Sequence, residues 1–193
     1  MDNQNEGADD GQLIARARND PATFVRLYRR HYDAVFRYCV HRLFNRMTAE
    51  DVTSQVFLKV VEKIGHFSGN EQQFRNWLYT IATNAVNQHL RKAARRESLP
   101  GVAGEQGESE AADGGEFTEK LVLLRNAVQA LKPRYQTIIT LRFFENLKLT
   151  EIAEVLGSSP GTARSQLARA LAMLRNKLAT EFAEESEAGK DES

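Results

Sequence analysis

The sequence predicts an all-α protein made of two small helical domains joined by a flexible acidic linker. Apolar residues recur at three- and four-residue steps in separate segments on both sides of residues 97–116. No segment shows the alternation of a half-buried strand, and there is no Asn-Gly hairpin signal. Between the two helical halves, residues 97–116 hold five glycines, one proline and almost no bulky apolar side chain. Such a stretch cannot bury enough surface to offset the entropy of ordering it.

A short helix is expected around Leu13 to Ala17. The next follows Pro21, a residue suited to a first helical turn, and carries Phe24, Leu27, Tyr28, Val35, Phe36, Cys39 and Leu43 at helical steps. Val52, Val56, Phe57, Val60, Val61 and Ile64 mark another, with Thr48 as its expected cap and Asp51 near its positive end. A third amphipathic helix carries Phe74, Trp77, Leu78, Ile81, Ala82 and Ala85 on one face, where Trp77 reads as core. It runs into the polar, basic end His89 to Arg96. After the linker, Phe117, Leu121, Leu124, Val128 and Leu131 form a helix that Lys132-Pro133 closes, and Arg134 to Glu145 form the next.

Across the 193 residues, 26 Lys and Arg balance 26 Asp and Glu, so the formal net charge is zero. The zero is a cancellation. Residues 11–96 carry fifteen bases against six acids and residues 120–180 ten against three, while 1–10, 97–119 and 181–193 are acidic. Local fields of this size matter to a polyanionic partner even when the sum vanishes. The lone Cys39 excludes an internal disulfide, no apolar run approaches a membrane span, and the polar, acidic start is unlike a signal peptide. A cytoplasmic protein is expected. No cofactor and no metal site is expected, because there is no phosphate-binding glycine loop, no metal-spaced Cys/His cluster and no nucleophile motif. His31, His41, His66 and His89 do not share a helical face. Cys39 reads as core.

The most specific local pattern lies in residues 150–174. A short helix that Thr150 would cap ends at Gly157, and Ser159-Pro160 then supplies an N-cap followed by proline at the first helical position. This is the spacing of a helix-turn-helix. Ile152, Ala153, Leu156, Ala163 and Leu167 would pack its two helices, leaving Thr162, Arg164, Ser165, Gln166 and Arg169 facing outward. These types suit a DNA groove, since Arg pairs with guanine, Gln with adenine, and hydroxyls with base edges or phosphates. A two-helix corner with a solvated basic face fits the same pattern.

The residues resemble the extracytoplasmic-function (ECF) sigma factors of bacterial RNA polymerase. Leu149-Thr-Glu-Ile-Ala-Glu-Val-Leu-Gly-Ser-Ser-Pro-Gly-Thr-Ala-Arg-Ser-Gln-Leu-Ala-Arg-Ala-Leu resembles that family's promoter-recognition module. Ala49-Glu-Asp-Val-Thr-Ser-Gln-Val-Phe-Leu-Lys-Val resembles its polymerase-binding helix. Phe74-Arg-Asn-Trp-Leu-Tyr-Thr-Ile-Ala-Thr-Asn-Ala-Val-Asn-Gln-His-Leu-Arg-Lys resembles its minus-ten helix. The three occur in the family's order. The implied organisation is an acidic, disordered 1–10, a region 2 domain over 11–96, the linker 97–116, a region 4 domain of four helices with the helix-turn-helix over 117–180, and an acidic tail 181–193.

The resemblance implies core RNA polymerase and promoter DNA, both duplex and single-stranded, as partners, with an anti-sigma factor as a further candidate. Asp51, Gln55, Leu58, Lys59 and Glu62 would face the clamp helices of the largest polymerase subunit. The loop His66 to Gln73 corresponds to the pocket for a flipped base, with Phe67 able to stack. Asn84, Asn87, Arg91 and Lys92 would line the melted minus-ten strand, and Arg95 and Arg96 would follow phosphates. Residues Pro160 to Arg175 would lie on the minus-thirty-five element. The helix bearing Leu141, Phe143 and Phe144 would touch the flap tip of the second largest subunit, some of the three being core instead. The acidic linker would either thread toward the RNA exit path or serve as a solvated spacer. The chain departs from the family at Ser54-Gln55, Thr83, Gln88, Ala163 and Gln166, which bears on docking contacts and promoter sequence. The rival reading is a stand-alone helix-turn-helix regulator with an N-terminal sensing or dimerising helical domain, which would bind duplex DNA without polymerase.

Overall fold

The computed structural model describes residues 10–97 and 115–188. Among these residues eight α-helices run in the order α1 (Asp10–Ala17), α2 (Pro21–Leu43), α3 (Arg46–Ile64), α4 (Glu71–Glu97), α5 (Gly115–Gln129), α6 (Pro133–Ile139), α7 (Leu149–Val155) and α8 (Pro160–Ala188). No strand occurs among the described residues. They group into two compact units, one built on α1 to α4 and one on α5, α6 and α8 with the start of α7. Most of the expected linker lies outside the described residues, but Glu97 ends α4 and Gly115 and Glu116 begin α5. The expected acidic tail is helical as far as Ala188, which its run of Ala and Glu favours.

In the first unit α2 begins at an extended Asp20, whose carboxylate accepts the backbone N–H groups of Ala22 and Thr23 at 3.0 and 3.2 Å, with Pro21 at the first position. Phe44 ends the helix in the left-handed region at φ 55°. Two residues later α3 starts. Its cap is Asn45, which accepts the Thr48 N–H at 2.8 Å, so the expected cap Thr48 lies inside the first turn as a donor. Packing of α2 against α1, α3 and α4 buries Ile14, Leu27, Val35, Cys39, Val52, Val56, Phe74 and Val86 to 1% exposure or less. Val61 departs from the expected apolar face of α3 and is 52% exposed.

In the second unit, α6 and α5 both pack on α8. Pro133 opens α6, and the Gln136 side-chain amide donates to the carbonyls of Gln129 and Leu131 at 2.7 and 2.9 Å, satisfying groups that the end of α5 leaves open. The expected helix to Glu145 changes character after Ile139. Thr140–Phe144 form one π turn, closed by Glu145 N–H to Thr140 O at 3.1 Å and ended by Asn146 at φ 55°. The turn settles which apolar residues are core, since Leu141 is fully buried while Phe143 and Phe144 are 53% and 43% exposed. No helix among the described residues is long and apolar enough to cross a membrane.

Candidate nucleic-acid interface

The helix-turn-helix is built by its caps. Glu151, not Thr150, closes the start of α7: its carboxylate accepts the Lys148 N–H at 2.5 Å, and Thr150 lies one residue inside the helix. The helix ends at Gly157 with φ +59°, a conformation that costs a side chain but not glycine. Ser158 N–H then donates back to Ala153 O at 2.8 Å, the six-to-one bond of a left-handed helix end. Ser159 accepts the Thr162 N–H at 3.1 Å and caps α8.

On α8 the buried stripe is Ala163, Ala170 and Leu174, with Leu167 half-buried; Ile152 and Ala153 are buried on α7 and Leu156 is half-buried. Thr162, Arg164, Ser165 and Arg169 are exposed as expected. Gln166 is half-buried, a correction that follows from its place beside Leu167 at the edge of the core stripe. The five do not form one row. Thr162, Ser165, Gln166 and Arg169 share the i, i+3, i+4, i+7 stripe, while Arg164 lies further round the helix, in line with exposed Arg175 eleven residues on. Two of the hydroxyls are already engaged, Ser165 donating to Gly161 O at 3.0 Å and Thr162 paired with Ser159 at 2.9 Å. The arginines carry the outward-facing capacity.

In the first unit the loop before α4 is rigidly built. Asn70 accepts the Gln73 N–H at 2.9 Å and Gln73 returns the bond to the Asn70 N–H at 2.9 Å, a reciprocal capping box. A Cβ on Gly69 would stand 2.8 Å from Gln73 Oε1 and 2.9 Å from the Phe67 ring, so a larger residue there would displace the side chains that form this cap. Phe67 is half-buried, its ring 5.0 Å from Trp77 and 5.5 Å from Phe74. Phe74 is 1% exposed and Trp77 half-buried, so the loop sits on an aromatic floor.

Asn84, Arg91 and Arg95 line one exposed stripe of α4, with exposed Lys92 and Arg96 beside it. Amide side chains flank that stripe on both edges, each held by a cation of a neighbouring helix. Arg42 of α2 donates to Asn87 Oδ1 at 3.3 Å, and Lys59 of α3 donates to Gln88 Oε1 at 3.5 Å. Asn87 is accordingly half-buried. Thr83 is buried and shares a 2.8 Å hydrogen bond with the Tyr38 hydroxyl.

The expected polymerase face of α3 divides in the same way. Asp51, Gln55, Leu58 and Glu62 are exposed along one stripe, Leu58 by 63%. Lys59 is half-buried and turned toward α4, because it stands about 100° round the helix from Leu58. Sequence periodicity missed Met47, 78% exposed on the same stripe, and Val61, exposed beside it. Two exposed apolar side chains on the Leu58 side of α3 were the available signal.

His31 of α2 lies beside the same loop. With Asn70, Glu71, Gln72 and Arg75 it lines a cleft of 370 Å³, and its ring is 5.3 Å from Phe74. Burial, aided by the charges of Arg30 and Arg75 and opposed by Glu71, lowers its pKa to about 4. Folded His31 therefore stays neutral where the unfolded side chain takes up a proton. Stability from this group is complete above the ordinary value near 6.5 and is lost as pH falls toward 4, at most about 3 kcal/mol. Denaturant midpoints at pH 7.5 and 4.5 are expected to fall less for His31→Gln than for the parent; equal falls would remove His31 as the cause. Among the described residues no group of three or more His, Cys, Asp or Glu side chains could hold a metal ion.

Comparison with known proteins adds a second line. Residues 27–96 match the family described as Sigma-70 region 2, and residues 121–174 match Sigma-70, region 4. The chain is 35% identical over 171 residues to the ECF RNA polymerase sigma factor BldN of Streptomyces coelicolor, across 86% of this chain and 65% of that protein, just under two thirds of its length. It is 30% identical over 172 residues to the ECF RNA polymerase sigma factor SigW of Bacillus subtilis, across 83% of this chain and 91% of SigW. The fold is similar to that of the sigma factor RpoE of Bartonella quintana, solved in complex with the anti-sigma factor NepR. The TM-score is 0.67 at 23% identity, over 81% of this chain and 96% of that one.

Proposed function

The chain belongs to the ECF sigma factors of RNA polymerase, and on that premise we propose how its surfaces divide the work of promoter recognition. The exposed stripe of α3, from Met47 through Asp51, Gln55 and Leu58 to Glu62, docks on core RNA polymerase. The stripe Asn84, Arg91 and Arg95 of α4, with Asn87 and Lys92 at its margins and the Phe67 loop before it, holds the melted minus-ten strand. Helix α8 lies on duplex DNA at the minus-thirty-five element, with Arg164 and Arg169 as its principal contacts.

One observation carries this reading. Each of the three helices buries one stripe in its own unit and leaves a second largely exposed, and these second stripes differ in chemistry: apolar with acids on α3, amide and cationic on α4, hydroxyl and cationic on α8. An apolar, charge-rimmed stripe suits a protein partner. Amides and cations suit exposed bases and phosphates, and the aromatic floor beneath Phe67 gives a captured base a stacking surface. Exposed Phe143 and Phe144 extend the polymerase-facing surface in the second unit. The reading assigns the chain no chemistry of its own, places it in the cytoplasm with the polymerase, and admits an anti-sigma factor as a partner that covers the same stripes. The linker acts as a spacer between the two DNA-holding modules.

Arg164→Ala tests the α8 assignment. Promoter-directed transcription is expected to weaken by about 1–3 kcal/mol, selectively at one base pair if Arg164 reads a base and uniformly if it holds a phosphate. Wild-type transcription from every minus-thirty-five variant would take Arg164 out of the readout.

A further inference from the structure

Helices α2 and α4 are tied twice, at matching steps of four residues. Tyr38 pairs with Thr83 at 2.8 Å, and one turn later Arg42 pairs with Asn87 at 3.3 Å. Both partners are 45 residues apart in sequence, so the two helices run in the same direction along this seam. Arg42 is 1% exposed, unusual for an arginine, whereas Asn87 sits at the margin between the seam and the exposed stripe of α4.

The chemistry of this pair fixes which way Asn87 faces. A guanidinium has five N–H donors and no acceptor, so it can engage only the amide oxygen. The oxygen is thereby occupied on the buried side. The Nδ2 group has no hydrogen-bond partner among the described residues and is left toward the stripe. An unconstrained asparagine can turn its amide over and offer a donor, an acceptor, or the donor-acceptor pair that recognises adenine. With its oxygen anchored on Arg42, Asn87 cannot turn its amide over and presents Nδ2 as its free donor.

We propose that Arg42 is a positioning residue that turns Asn87 into a one-sided hydrogen-bond donor, selecting a keto base, guanine or thymine, over an amino base, adenine or cytosine, at one position of the melted strand. Where Nδ2 meets the exocyclic group at the base edge, a keto oxygen accepts its hydrogen bond, while an exocyclic amine sets a donor against a donor. The selection rests on the reading that the α4 stripe lies against that strand. It also gives the buried guanidinium of Arg42, which interacts with the Tyr38 hydroxyl as well, a role beyond packing.

The test uses holoenzyme assembled from core RNA polymerase and the full chain, with fluorescent single-stranded oligonucleotides of the minus-ten region carrying each base at each position. The parent protein is expected to favour keto over amino bases about tenfold at one position. Asn87→Ala and Arg42→Met should each erase that preference, and the double variant should lose nothing more. Asn87→Asp keeps Arg42 paired and presents an acceptor outward, so the preference should invert toward amino bases at that same position. This variant alters a half-buried residue and remains informative if Arg42→Met fails to fold. Preference retained in Arg42→Met but lost in Asn87→Ala, or no inversion in Asn87→Asp, would overturn the positioning role while leaving Asn87 on the strand. No change at any position in Asn87→Ala would instead reject the contact between Asn87 and the strand, and the inference with it.

Discussion

Leu58→Glu combined with Val61→Glu is expected to lower the affinity for core RNA polymerase by about 100-fold or more, near 3 kcal/mol. Both side chains are more than half exposed and contribute little to the core of the first unit. Stability should therefore change by no more than about 0.5 kcal/mol, the usual range for surface positions. In a docked complex the same residues lose their water, and two carboxylates replacing two apolar groups meet a desolvation cost without partners. Equilibrium competition for core enzyme, with thermal melting as the control, separates the two effects. Undiminished affinity would move the docking surface away from α3.

Phe74→Ala is expected to destabilise the first unit by about 3–5 kcal/mol, a large part of the stability of a small helical domain. Phe74 is 1% exposed and lies within ring-contact distance of His31, Phe67 and Trp77. Its loss empties the floor under the loop that the capping box of Asn70 and Gln73 holds in place. The chain contains a single tryptophan, Trp77, so its fluorescence reports this unit alone. The denaturant midpoint seen by Trp77 should fall sharply, while the helical signal from α5 to α8 persists to higher denaturant. A shift below about 1 kcal/mol would mean that the aromatic floor is not closely packed. Partly folded Phe74→Ala protein should also lose capture of single-stranded DNA before it loses duplex binding, because Arg164 and Arg169 stand on the other unit.

Helix positions were legible because burial imposes the 3.6-residue period on the sequence, as in Val52, Val56 and Val60. Caps were less legible where a polar residue offers two local choices. Asn45 and Thr48 both have capping chemistry, and only the backbone bond between them decides which is acceptor and which donor. The π turn at Thr140–Phe144 was hidden, since Leu141, Phe143 and Phe144 fit an unbroken helix equally well until one wide turn separates core from surface.

The candidate site followed the same rule. Arg164, Ser165 and Arg169 point away from the buried stripe of Ala163, Ala170 and Leu174, and their exposure could be read directly. Lys59, Asn87 and Gln166 lie at the margins of buried stripes, where the neighbouring helix decides the outcome. Nothing in the local sequence of α4 reveals that Arg42 and Lys59 take the oxygens of Asn87 and Gln88, because those contacts span 45 and 29 residues. Thr83, one of the departures from the family pattern, has a role only once Tyr38 is placed against it.

We propose that this chain directs core RNA polymerase to promoters through α3, α4 and α8 together. Run-off transcription from fragmented genomic template, with purified core enzyme in the presence and absence of the full chain, tests it most directly. New, discrete start sites are expected only when the chain is present, and they should disappear with Leu58→Glu/Val61→Glu. No stimulation on any template, together with tight and specific binding of the chain alone to duplex DNA, would contradict the account and favour a stand-alone regulator.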